Sequence, residues 1–451
     1  MGICIDNRKR KYLLKNNENI DIKILENQII NNKNYEERIL SFEDSKCNIK
    51  SENNNNSELL NSNENIKEDK ERLININELE ENKNEKESNI IIGKIQITKS
   101  LVEKIINSYE NVYKEKYSCV WNDNSSIKNE EQIKECEIYI NDKKINFSYY
   151  YEFPNEGIYI IKYKFKSLLT STNFMFCNCQ SLIFLDLSQF NAQNVANMRN
   201  MFANCKLLKS INLSNFNTYN VNDMSNMFDR CKSLTSLDLS DFNTSKVTNM
   251  SNMFNNCNSL LVLNISSFNT KNVINMISIF SNCSSLTSLN LSNFNTEKVT
   301  HMSFMFFDCS SLISLDLTNF ITRNVIDMTH IFDGCKSLLS LNLSNFFTEY
   351  VINMSHMFYD CYSLVELNLS TFNTKKVHTM EYMFYGCKSL IFLDLSNFNF
   401  NKVKNIGCMF DECNSLMHLQ LPDFNFQNIN NKDKIFHGCN SMIFKIIDNF
   451  D

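Results

Sequence analysis

Leu234 to Ser259 reads LTSLDLSDFNTSKVTNMSNMFNNCNS, and this stretch decides the fold. Leu237 and Leu239 flank Asp238, so a short strand places two leucines inward and the carboxylate outward. Phe242 follows three residues after the last Leu, and Asn243 is a turn former that bonds its own backbone. Val247, Met250, Met253 and Phe254 are spaced to share one face of a short helix. Cys257 and Leu260 continue inward to the next strand.

The same unit recurs on both sides. Cys179, Cys205 and their successors to Cys439 are spaced by 26 residues without a slip. One Phe column runs from Phe176 to Phe436 and a second from Phe190 to Phe450 at the same period. Fixed periods of 20 to 50 residues signal stacked repeats. One coil cannot bury its own apolar face, so stability comes from the interfaces between neighbouring coils. In-register strands rise about 4.8 Å per coil, so roughly ten coils from Leu182 to Ser441 extend about 50 Å.

The unit L-x-x-L-x-L-S-x-F-x-T-x-x-V-x-x-M-x-x-M-F-x-x-C-x-S resembles the BspA-like leucine-rich repeats, also known as the DUF285 or mycoplasma-lipoprotein repeat. The resemblance covers residues 167 onward. It implies an α/β repeat solenoid, a right-handed stack of short strand plus short helix, and surface-associated adhesion or protein binding. Phe242 and its column stand where a leucine-rich repeat ordinarily holds Asn or Cys. Ile406 and Lys432 replace Met, and Pro422 replaces Ser, as terminal coils depart from the pattern. Lys445 stands where a strand Leu is expected, and Ile446, Ile447 and Phe450 are read as closing the stack.

Outward from the repeats the sequence changes character. Residues 1–90 are rich in Asn, Glu, Lys and Ser and bury too little apolar surface to offset ordering entropy, so a disordered arm is expected. Residues 91–166 are read as a small capping unit. Ile90-Ile91-Ile92 and Ile95–Ile97 are β-like, Leu101 to Tyr113 has helical spacing, and Glu137–Asn141, Ile145–Phe153 and Ile158–Phe165 alternate as strands. This unit, with Phe174-Met175-Phe176, is expected to shield the first open coil. Residues 167–451 are the solenoid.

Composition limits function. Seven Gly and two Pro among 451 residues leave no phosphate loop or dinucleotide fingerprint. A net charge of -6 argues against a general nucleic-acid binder. No apolar run reaches the roughly 20 residues of a membrane span. Thiols 26 residues apart form a line rather than a tetrahedron, so the Cys column is expected to be buried and reduced instead of metal-binding or bridged. Cys177 with Cys179, and Cys408 with Cys413, are the other close pairs. The six histidines are read as solvent-facing: His330 and His356 share a column, and His301, His378, His418 and His437 are scattered. No catalytic constellation, cofactor site or metal site is assigned, and Cys119 and Trp121 are read as core.

The N-terminus carries Gly2, Cys4 and the basic run Arg8 to Lys11. Gly2 resembles an N-myristoylation acceptor and Cys4 a palmitoylation site, though Asp6 replaces the preferred Ser or Thr. Two acyl groups, or one with a basic patch, anchor stably. No apolar signal core follows the basic run, which points to reducing cytosol. The expected function is a non-enzymatic protein-binding scaffold tethered to the cytosolic face of a membrane. The alternative is a cell-surface adhesin exported unconventionally. Expected partner contacts are the outward strand residues Asp238, Asn290, Asp316, Asn342, Glu366 and Asp394. Tyr219, Arg323, Tyr350, Lys375 and Lys376 at the turns complete the set.

Overall fold

The computed structural model describes residues 89–116, 128–423 and 426–442. Residues 1–88 of the arm, including Gly2 and Cys4, lie outside them, as do Cys119, Trp121, Lys445 and the closing residues Ile446 to Phe450. Asn89 and Ile90, expected in the disordered arm, are instead buried, because Ile90 begins the first strand.

Most coils bring one short strand to a parallel sheet, but the coils at Asn290 and Asp316 form none, so those two residues and Asn342, expected on strands, lie outside them. Leu182–Asp186 and Ser210–Asn212 (β7 and β8 in chain order) pair in parallel, as do Ser236–Asp238 (β9) and Val262–Asn264 (β10). Ser340–Leu341, Glu366–Leu367, Phe392–Asp394 and His418–Gln420 (β11 to β14) form a four-stranded parallel sheet. A second side is laddered by ten parallel bridges that run in steps of 26 from Ser171 to Asn431. Leu237 and Leu239 are buried and Asp238 is exposed, which is the predicted strand orientation.

The expected short helix is replaced by consecutive turns. Val247, Met250, Met253 and Phe254 are all buried, so the apolar face is where the spacing put it. The backbone, however, bends at Asn252 and Asn256, whose φ values are 56° and 59°. Left-handed residues four apart cannot continue a right-handed helix. Met253 N–H donates to Met250 O within the turn, and Asn252 and Phe254 donate to Ile277 and Ile279 of the next coil. Inter-coil bonds take donors that a helix would have kept for itself. Asn is the commonest residue in these bends because its short amide tolerates the left-handed region.

Three side-chain columns tie the coils together. Phe280, Phe306 and Phe332 stack face to face at 5.8 and 5.7 Å between ring centres, and all are fully buried. Thr244, Thr270 and Thr296 each bond the backbone of the next coil, at Asn269, Asn295 and Ile321. The Cys column is buried and free of disulfides. Each thiol from Cys205 to Cys439 donates to a Phe carbonyl of the preceding coil, as Cys309 does to Phe280 O at 3.1 Å. Burial pushes these thiols up, Cys309 to about 12, so they stay protonated and poorly nucleophilic. Ellman titration of native protein should leave the column unreacted, and denaturant should release it. Rapid native modification of the column would contradict its burial.

Segment 91–166 is continuous with the stack. Ile90–Ile97 (β1) pairs antiparallel with β7 on one edge and with Gly157–Lys164 (β6) on the other. Glu137–Ile140 (β3) and Lys143–Ile145 (β4) extend the sheet, giving the order β4-β3-β6-β1-β7-β8. Thus β1 occupies the edge that a preceding coil would otherwise cover. Gly93 lets it approach: an added Cβ would lie 3.3 Å from Leu185 Cδ2. Asn141 and Asp142 form the β3–β4 turn with positive φ at both. One hydrophobic core runs from Ile91 through the stack to Met442.

The helix expected from Leu101 begins later. Val102–Lys104 (β2) is a strand paired with Tyr150–Glu152 (β5), which also interrupts the expected strand Ile145–Phe153. Ser108 then opens helix Tyr109–Lys116 (α1), its Oγ accepting Asn111 N–H at 3.1 Å. Cross-strand pairing outweighs the helical spacing before that cap. A one-turn helix, Glu130–Lys134 (α2), precedes β3.

Candidate interaction surface

The outward column performs the same structural task in the coils from Asp186 to Asp394. The side-chain oxygen of Asp238 accepts Ser240 N–H at 3.0 Å, and that of Asp316 accepts Thr318 N–H at 3.0 Å. Asn290, Asn342 and Asp394 do the same for Ser292, Ser344 and Ser396. These bonds hold the Asp238 and Asp316 carboxyls below the usual range. An acceptor is needed two residues before each turn, which explains why the column holds Asp or Asn from Asp186 to Asp394, with Gln420 departing in a terminal coil. Glu366 is exposed and bonds no such turn.

The same sheet face carries apolar residues that sequence reading did not single out. Leu261 and Val262 are 58% and 62% exposed. The preceding and following coils place Thr235-Ser236 and Thr287-Ser288 there. Phe392 is exposed in the column of Val262, beside Glu366. Column-by-column comparison would have found these departures, because the flanking coils define the ordinary polar residue.

The turn residues pack along the stack. Lys246 Nζ sits 4.1 Å over the Tyr219 ring and Lys376 Nζ 3.9 Å over Tyr350. The Arg323 guanidinium lies 4.6 Å over Phe347. Lys375 is exposed. Such pairs add modest stability at exposed sites while keeping charge at the surface.

His330 and His356 are not free surface groups. Phe304, His330, His356 and Tyr382 occupy one left-handed column and stack at 4.4, 4.3 and 4.9 Å. Burial, with His330 beside it, pushes His356 down to about 4. His330 Nδ1 meets Asp333 Oδ2 at 2.6 Å. Stacking uses ring faces that the sequence reading had placed in solvent. His437 meets Asp411, one coil earlier in its own column.

A cleft of about 640 Å³ opens where β2 meets the first coils, lined by Val102, Lys104, Glu115, Tyr150 and Leu207 among others. Lys104 is buried and paired with Glu115 at 2.6 Å, so its charge is satisfied within the protein. Among the described residues no helix is long and apolar enough to cross a membrane.

Residues 170–262, 233–346 and 337–450 each match the family described as "Mycoplasma protein of unknown function, DUF285". Together these matches span over half of the 451 residues. The chain belongs to the DUF285 family. Its membership is carried by the BspA-like leucine-rich repeat unit, and each match holds several 26-residue coils. Solved structures similar to this DUF285 chain include a leucine-rich repeat protein from Bacteroides ovatus, at 18% identity and a TM-score of 0.26. That similarity covers 66% of this chain and 83% of the other. A leucine-rich repeat protein from Eubacterium ventriosum is 14% identical with a TM-score of 0.23, covering 56% and 77%. No curated protein matches the sequence.

Proposed function

We propose that this DUF285 chain is a protein-binding scaffold whose sheet face takes the partner around Leu261, Val262, Glu366 and Phe392. The observation that carries this reading is the exposure of Leu261 and Val262, each over half exposed, on a face that is polar in the flanking coils. Apolar side chains grouped on an otherwise polar surface mark protein contacts. The invariant interior fixes their spacing, and the stacked sheet offers an extended platform. The Asx column then acts as frame, with Asp238, Asn290, Asp316, Asn342 and Asp394 contacting a partner through their remaining oxygen or amide. The repeat architecture suits recognition better than catalysis. We further propose that acylated Gly2 and Cys4 tether the scaffold to the cytosolic face of a membrane, where its thiols remain reduced.

Full-length protein and a Leu261→Ser/Val262→Ser variant should be compared by affinity capture, with thermal unfolding as the folding control. A partner retained by the first and lost by the second is the expected result. Equal capture by both would remove the sheet-face assignment. In the same cells Gly2→Ala should move the protein to the soluble fraction, and unchanged fractionation would remove the tether.

A further inference from the structure

We infer that Asp411, Glu412 and His437 form a binding site for a divalent first-row transition ion of the zinc class, clamping the last described coil to the one before it. Asp411 and His437 occupy the same column of adjacent coils, 26 residues apart, and Glu412 follows Asp411 in the bend. One donor atom from each lies within 4.8 Å of the other two. Among the described residues no other three such donors converge this closely. The set is one imidazole nitrogen and two carboxylate oxygens, donors that suit zinc and its neighbours, with further positions left to water.

The arrangement is built rather than incidental. The Asp411 side chain is only 8% exposed, so two carboxylate oxygens approach each other at a site partly withdrawn from water. Like charges at this range repel, more strongly as solvent is excluded, and a divalent ion reverses the sign of the interaction. His437 Nδ1 already points at Asp411 Oδ1, 2.8 Å away. Gly438 leaves room for the third ligand. A Cβ there would lie 3.1 Å from Glu412 Oε1, and the residue's φ of +76° itself favours glycine. The related pair His330 and Asp333 makes the contrast. There the residue after the aspartate is Gly334, so the second carboxylate is missing.

The test is calorimetric titration of Zn²⁺ into the full chain, with His437→Ala, Glu412→Gln and His378→Ala as variants. The His437 side chain is 63% exposed, so its removal leaves the packing intact, and circular dichroism confirms folding of each variant. One ion per chain is expected for the natural protein and for His378→Ala. The His437 and Glu412 variants should bind at least about 10-fold more weakly, since even outer-shell losses at metal sites cost roughly 10- to 100-fold. Zn²⁺ should also raise the unfolding temperature of the natural protein and not that of His437→Ala. No binding, or equal binding by His437→Ala as expected for an ion held on thiols, overturns the site.

Discussion

Phe306→Ala is expected to lower stability by about 3–5 kcal/mol, the usual cost of truncating a fully buried phenylalanine. Phe306 is 0% exposed and lies between Phe280 and Phe332, with interplanar angles of 12° and 4°. The substitution therefore opens a void that faces two coil interfaces at once. In a stack whose stability is a sum of neighbour terms, both interfaces weaken. The backbone carbonyl of Phe306 accepts the Cys335 thiol at 3.2 Å, so relaxation into the void would also disturb the Cys column. Denaturant unfolding should show a reduced midpoint, and Lys375→Ala, at an exposed turn, should change stability by about 0.5 kcal/mol or less. An unchanged midpoint for Phe306→Ala would mean that the column does not face the core.

This expectation could be written from the sequence, because an eleven-fold Phe column at a constant period has no other economical explanation than an inward ladder. The same holds for the alternation of Leu237, Asp238 and Leu239 and for the free, buried Cys column. The helix was misread for a physical reason. Val247, Met250 and Met253 are spaced as well for a bend lined with apolar side chains as for a helical turn. Only the left-handed conformation at Asn252 and Asn256 separates the two. Asn at both positions was the available signal, and it recurs at Asn200, Asn204 and Asn226. At Leu101 to Tyr113 the spacing was again ambiguous, and the strand Tyr150–Glu152 decided it from 46 to 50 positions away along the chain.

The candidate sites were less legible, because they arise between coils. Asp238 and Asp316 were recognisable as outward, but their bonds to Ser240 and Thr318 depend on backbone direction at the turn. His437 looked isolated along the chain, yet a shift of one period sets it on Asp411. Phe304, His330, His356 and Tyr382 look unrelated until the coils are stacked, when they become one column of rings. A 26-residue alignment of the chain against itself carries this information, whereas a search for short motifs discards it.

Thr296→Val isolates the polar half of the same ladder. Thr296 Oγ1 donates to Ile321 O at 2.9 Å and accepts from Ile321 N–H at 2.8 Å, so one hydroxyl satisfies both backbone groups of a residue in the next coil. Thr296 is 1% exposed. Valine keeps the shape and removes the oxygen, leaving a donor and an acceptor without partners at about 1–3 kcal/mol each if water cannot reach them. Thr296→Ser keeps the oxygen and loses only a methyl group, so its cost should be about 1 kcal/mol. The comparison separates hydrogen bonding from packing: a Val variant clearly less stable than the Ser variant in denaturant unfolding is expected, and equal midpoints would reduce the column to filler. The effect should repeat at Thr244 and Thr270, where Asn269 and Asn295 are bonded in the same two-point way. Phe stacking can tolerate rotation of one coil about the ladder, but a hydroxyl that binds both the N–H and the C=O of one residue cannot. The Thr column therefore reinforces the register set by the parallel bridges and inter-coil backbone bonds, and the exposed sheet face inherits its spacing from that register.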